Sequence, residues 1–178
     1  MQGGDALEIP AVDVQVKANG NVFKHTLVAL RPTAADVEGD SVSGRVRLRG
    51  CAIANSTTAN DRMSHIIGVA LADAASGEYV KVRLQGCVQV AVHNVNGGAI
   101  ADGEVLVLGG AGFLAKTVAA TSEGGAGNDV GVAAEQGFRI LAWSLEAGTA
   151  TGGTAISCSR FKVCFNGMGW GSDEYTEV

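Results

Sequence analysis

Apolar and polar residues alternate along much of this chain with a period of two, the period of a half-buried β-strand. The clearest run is Tyr79 to Val92. Val80, Val82, Leu84, Val88, Val90 and Val92 share one parity, Lys81, Arg83, Gln85 and Gln89 share the other, and Gly86 marks a bulge or bend. Ile9 to Val16 sets Val12, Val14 and Val16 against Asp13 and Gln15, and the turn Asn19-Gly20-Asn21 predicts a hairpin returning over Val22 to Leu30. Pro32-Thr33 opens a short helical turn closed by Gly39. Gly44 to Cys51 sets Val46 and Leu48 against Arg45, Arg47 and Arg49. Cys51 to Asn60 reads as a loop, Ile66 to Leu71 as a buried strand, and Asp73 to Gly77 as a turn. Phe138 to Leu145 and Thr154 to Phe165 are further strands, joined by a flexible Gly148 to Gly153 connection. The last places Phe161, Val163 and Phe165 on one side.

The stretch from residue 100 to 135 admits two incompatible readings. Gly110, Gly112 and Ala115 after the apolar Val105 to Leu108 fit the G-x-G-x-x-A of a dinucleotide loop. That fingerprint also needs a following helix and an acidic residue ending a second strand. Here β-branched Thr117 and Val118 are followed by the glycine-rich 124–127, and Glu123 and Asp129 lie in that turn region. The hairpin reading is the better one: Glu104 to Leu108 ascends, Gly109 to Gly112 turns and Phe113 to Ala119 returns. A further strand then begins at Asp129 to Ala134.

Length and composition narrow the class. A chain of 178 residues is one domain with room for a core, and 26 glycines, 2 prolines and many short valine-rich runs point to an all-β protein. A formal charge of −5 argues against nucleic acid as a partner, and no stretch approaches 18 consecutive apolar residues, so no membrane span is expected. MQGGDALEIP lacks a basic region followed by an apolar one, which predicts synthesis and folding in a reducing cytoplasm. Cys51, Cys87, Cys158 and Cys164 have no C-x-x-C spacing and read as small buried hydrophobes. Cys158 and Cys164 are too far apart along one strand to bond to each other within a chain.

No catalytic, cofactor or metal constellation is legible. His25, His65 and His93 are widely spaced, no G-x-S-x-G elbow is present, and nothing marks one cysteine as activated. The expectation is a protein that is not an enzyme and takes no cofactor.

The motifs GVALADAASGE from Gly68, ADGE at Ala101 to Glu104 and NDVGVAAE at Asn128 to Glu135, in that order, resemble the capsid cement or decoration proteins of tailed bacteriophages. The resemblance covers roughly residues 44–165. It implies a small β-barrel or β-sandwich core that forms a homo-oligomer, a trimer in such proteins, and binds the major capsid protein on the outer surface of the virion head. The chain then divides into an N-terminal arm and short β-hairpin (1–43), the core (44–166) and an acidic C-terminal tail (167–178). Residues 1–8 and the tail, with Asp173, Glu174 and Glu177, bury too little alone to offset the cost of ordering them and should order against a neighbour. A second class of function is a head-displayed lectin- or adhesin-like module using the loops at 51–60 and 147–153; an oxidoreductase is a third.

The residues expected to contact capsid or subunit are Arg45, Arg47, Arg49, Lys81, Arg83, Trp170 and Tyr175. VRLRGC (46–51) recurs as VRLQGC (82–87), through duplication or through the limited chemistry of strand ends. If the two strands lie side by side, five cations crowd one face. That face is either simply solvated or meets the carboxylates of a partner.

Overall fold

In a computed structural model, the residues described are 10–30, 37–40, 45–48, 50–54, 66–93, 99–116 and 140–168, with 37–40 and 45–48 described by backbone pairing alone. Every helix or strand among them is a strand, so the chain is all-β. In chain order they are β1 (Val12–Ala18), β2 (Leu27–Leu30), β3 (Val37–Asp40), β4 (Arg45–Leu48), β5 (Gly50–Ile53), β6 (Ile66–Ala70) and β7 (Tyr79–His93). There follow β8 (Ala99–Ile100), β9 (Val105–Gly110), β10 (Phe113–Lys116), β11 (Ala142–Ser144), β12 (Gly148–Thr149) and β13 (Ser159–Asn166).

Nine strands form one sheet, ordered β1-β5-β2-β6-β7-β10-β9-β11-β13, and two extra pairings fold it back on itself. β1 also pairs with β7, closing β1, β5, β2, β6 and the first half of β7 into a five-stranded barrel. β13 pairs with the second half of β7 from Gln85 to Val92, which brings β10, β9, β11 and β13 round a second circuit. Within that circuit β10 pairs with β7 at Leu114↔Val92 and Ala115↔His93. β8 with β12 and β3 with β4 make two small satellite ribbons.

The burial pattern explains why the circuits cannot separate. Val16, Val28, Leu30, Cys51, Val80 and Val82 fill the first barrel. The opposite faces of β2 and β6, carrying Leu27, Ala29, Ile67 and Val69, join Val88, Val90, Leu106, Leu114, Phe161 and Phe165 in the larger second core. All four residues of β2 are buried. An apolar run without alternation is what a strand covered on both faces requires.

β7 serves both cores by bending. Gly86 has φ +111°, in the left-handed region that favours glycine, and a Cβ there would stand 3.0 Å from the Ala11 backbone. On either side of the bend, Val80 and Val82 point into the first barrel and Val88, Val90 and Val92 into the second core. Gly167 ties the far end. Its N–H donates to Leu84 O at 2.7 Å, its carbonyl accepts from Ile67 N–H at 3.1 Å, and a Cβ would collide with Ile67 O.

The 105–116 hairpin is present, with β9 and β10 antiparallel around Ala111-Gly112. Its tip docks on the first barrel, since Leu27 N–H donates to Gly112 O at 2.8 Å and Gly112 N–H to Ala54 O at 2.7 Å. The alternation of Tyr79 to Val92, the buried strand from Ile66 and the inward Phe161, Val163 and Phe165 are also as expected.

Several expectations need correction. The first two strands are not a hairpin. β5 lies between β1 and β2, and residues 12–30 belong to the barrel wall rather than to an arm. The reason is that β2 is flanked by β5 and β6, leaving no side for β1. The chain instead turns at 23–26, where His25 takes φ 67° and the buried Thr26 hydroxyl donates to Phe23 O at 2.6 Å. Val37 to Gly39 is strand, not the end of a helical turn. Cys51 to Ile53 is strand, not loop, because fully buried Cys51 packs inside the barrel. The last strand starts at Ser159. Before it, Ser157 and Cys158 N–H donate to Thr154 O in a turn, and the Arg160 guanidinium donates to the carbonyls of Ile156 and Cys158. Gly167, taken as the first tail residue, is part of the fold. The expected strand at 129–134 and the turn at 124–127 lie outside the described residues.

Two substitutions test this account. Ile67→Ala should cost about 2–5 kcal/mol in denaturant unfolding while leaving a single transition, because Ile67 lies between the two circuits. Two separated transitions would contradict one shared core. Gly167→Ala should cost on the order of 3 kcal/mol, since either the added methyl or the Ile67 backbone must move.

Candidate functional site

The expected contact surface has to be built from β7 outward. Lys81 and Arg83 leave β7 on the solvent side of the first barrel, opposite β1, where register sets Arg83 against Asp13. The guanidinium grips that carboxylate with two donors, Nε to Oδ1 at 2.8 Å and Nη2 to Oδ2 at 3.1 Å, and its Nη1 donates to Cys87 O at 2.7 Å. Lys81 Nζ stands 3.1 Å from Oδ2 of the same aspartate. The fork-on-carboxylate arrangement is the strong form of an ion pair. Chiefly through Arg83, it holds the Asp13 carboxyl below its ordinary range.

The premise of a crowded face, that the two basic strands lie side by side, is not met. β4 pairs with β3, not with β7, and its register puts Arg45 opposite Asp40 and Arg47 opposite Glu38. The repeated VRL-x-G-C strings therefore lie on strands that are not neighbours. Arg49, Trp170 and Tyr175 lie outside the described residues. Lys81 alone of the described side chains expected to make contact stays mostly in water, with 63% of its surface exposed against 23% for Arg83.

Pattern reading missed Asp13 as the partner of both cations, although it had placed Asp13 on the outward face of its strand. It also missed the exposed apolar side chains Tyr79, Met168 and Ile156. Tyr79 sits at the start of β7 across from Lys17, next in sequence to a run of buried valines, so its parity was legible and its exposure followed from it.

Several other described polar side chains hold loops. His25 Nδ1 donates to Gln89 O at 3.1 Å. His93 Nε2 accepts from Gly153 N–H at 2.9 Å, which leaves the ring proton on Nδ1, and the ring stacks on Phe113 with centroids 4.7 Å apart. Its Nδ1 is buried without a hydrogen-bond partner. The 147–153 loop is likewise tied down, with Thr151 N–H donating to Ser159 Oγ at 3.1 Å. Glu104 accepts from Lys116 Nζ at 2.9 Å across the hairpin.

Burial pushes the Cys51 thiol up to about 11, and burial also raises Cys158 and Cys164. These thiols are poor nucleophiles near neutral pH. Among the described residues no three His, Cys, Asp or Glu side chains gather as metal ligands, and no helix is long and apolar enough to cross a membrane.

No protein-family model matches the chain, and no curated protein matches it. Among solved structures it is similar to the head fiber gp8.5 N base of bacteriophage phi29, at 15% identity and a TM-score of 0.45, over 89% of this chain and 96% of that one.

The Asp13 pair gives a pH prediction. Because the folded carboxyl titrates below its unfolded value, its stabilisation is present above pH ~4 and is lost as pH falls through the folded pKa. Asp13→Asn should lower stability by about 1–2 kcal/mol at pH 7 in urea unfolding. That gap should close as pH falls through the lowered pKa of the folded carboxyl, where the wild-type side chain takes up its proton.

Proposed function

We propose that this protein is a structural component of a tailed-phage head, a homotrimer that binds the outer face of the major capsid protein and cements the lattice. The observation that carries the reading is the order of the GVALADAASGE, ADGE and NDVGVAAE motifs. Two of them lie at strand connections of the fold. Gly68 to Glu78 spans the end of β6 and the turn into β7, and Ala101 to Glu104 is the turn that launches β9.

Such a role requires a rigid body with contact residues on its outside, and the doubly covered β2 and β6 supply the rigidity. Mechanism here means modest contacts multiplied by symmetry, since a trimer that engages several capsid subunits gains from effective concentration. Lys81 and Tyr79, exposed on the first barrel, are the described side chains best placed for contact, while Arg83 is committed to Asp13.

The test is to raise antibody against the purified chain and label virions whose genome encodes it. Gold over the heads at many positions is the expected result, and light scattering should give three times the 18.0 kDa chain mass. Label confined to tails, or absent from particles, would overturn the assignment, and a monomer in solution and on the head would overturn the trimer.

A further inference from the structure

All four cysteines are unbonded, yet two of them, 77 positions apart in the chain (164 − 87), are brought together by the fold. Cys87 on β7 and Cys164 on β13 are register partners in the antiparallel pair that closes the second circuit. The ladder shows which kind of pair they make. On β13, Lys162 O accepts from Leu145 N–H and Asn166 N–H donates to Leu141 O, so the backbone groups of 162, 164 and 166 face β11. On β7, Cys87 O accepts from Arg83 and Ala91 N–H donates to His25 O, so 87, 89 and 91 also point away from β13. Cys87 and Cys164 are therefore a non-hydrogen-bonded pair, the closer of the two antiparallel geometries, with Cα atoms typically ~4.5 Å apart. That lies inside the ~4.4–6.8 Å span of disulfides.

Both side chains lie on the outer face of the second circuit, Cys87 exposed and Cys164 partly so, while Cys51 and Cys158 are buried. We propose that Cys87 and Cys164 form a reversible cross-strand disulfide that staples β7 to β13 on exposure to a small-molecule disulfide. The exposed Cys87 thiolate attacks one sulfur of oxidised glutathione, the S–S bond breaks, and one glutathione thiolate leaves. Cys164 then attacks Cys87 Sγ and displaces the second glutathione. The protein gives up two electrons and two protons, and the reagent leaves as two thiols. An exposed bond on a paired strand is the labile kind, reversed by a dithiol reductant. Burial and the neighbouring Cys87 raise the Cys164 thiol, which makes the second step faster as pH rises.

The experiment uses the native full chain, treated with oxidised glutathione at mildly alkaline pH, alkylated, digested with trypsin and analysed by mass spectrometry. The expected product joins the peptide Leu84 to Lys116 to the peptide Val163 to Val178, is absent after reduction, and leaves Cys51 and Cys158 unmodified. Thermal unfolding should rise by on the order of 5–10 °C in the oxidised protein, because a long loop is closed in the unfolded chain. Glutathione retained on Cys87 beside a free Cys164, or no reaction of the folded protein, would overturn the proposal. So would a shift of the same size in Cys87→Ser, which folds with the pair removed and should show none. None of these outcomes depends on the capsid reading.

Discussion

Two strands without a solvent face hold this protein together. β2 and β6 give one side to the first barrel and the other to the second core, so each residue on them is packed whichever way it points. Burying a leucine or isoleucine side chain contributes ~1.5–3 kcal/mol, and Leu27, Leu30, Ile67 and Val69 spend none of that on a wetted surface. The requirement then propagates. β2 must be flanked by non-local partners, β1 is displaced beyond β5, β7 must bend to line both cores, and Gly167 must lack a side chain to lie between the Ile67 and Leu84 backbones.

Charge is arranged under the same constraint. With the inner faces committed to apolar contact, cations sit on outward parity, and the ladder decides what they meet. Arg83 and Lys81 both meet Asp13. On β7 the two described cations thus converge on one carboxylate rather than standing as an unpaired basic stripe.

Local pattern made much of the fold legible, and the reason differs by element. β7 could be read because fifteen residues alternate with one glycine at the bend, and β6 because a run of apolar residues without alternation belongs to a doubly covered strand. The 105–116 hairpin could be read because β-branched residues and glycines punctuate it. What could not be read was pairing. Asn19-Gly20 is a strong local turn signal, yet the strands it separates bond to others, since the burial of β2 outweighs the economy of a short loop. The helical reading near Val37 and the loop reading from Cys51 failed the same way, through a sheet partner distant in sequence. The candidate surface fared less well than the fold, because a strand's outward residues are recognisable one strand at a time, whereas a surface exists only once neighbours are known. Asp13 and Arg83 lie seventy positions apart, and so their meeting had no local trace.

The two circuits occupy successive halves of the chain, since all five strands of the first are complete by Gln85 and those of the second run from Gly86 to Asn166. The order matters during synthesis. Once the first half has left the ribosome, its barrel can close, but Leu27, Ala29, Ile67 and Val69 then face water on its outside. At ~5–20 residues per second the second half takes roughly 4–16 s to follow. For that interval the nascent protein carries an apolar surface whose cover has not yet been made. Emergence of the bend at Gly86 from the ribosome therefore opens an interval in which that apolar face is exposed to aggregation.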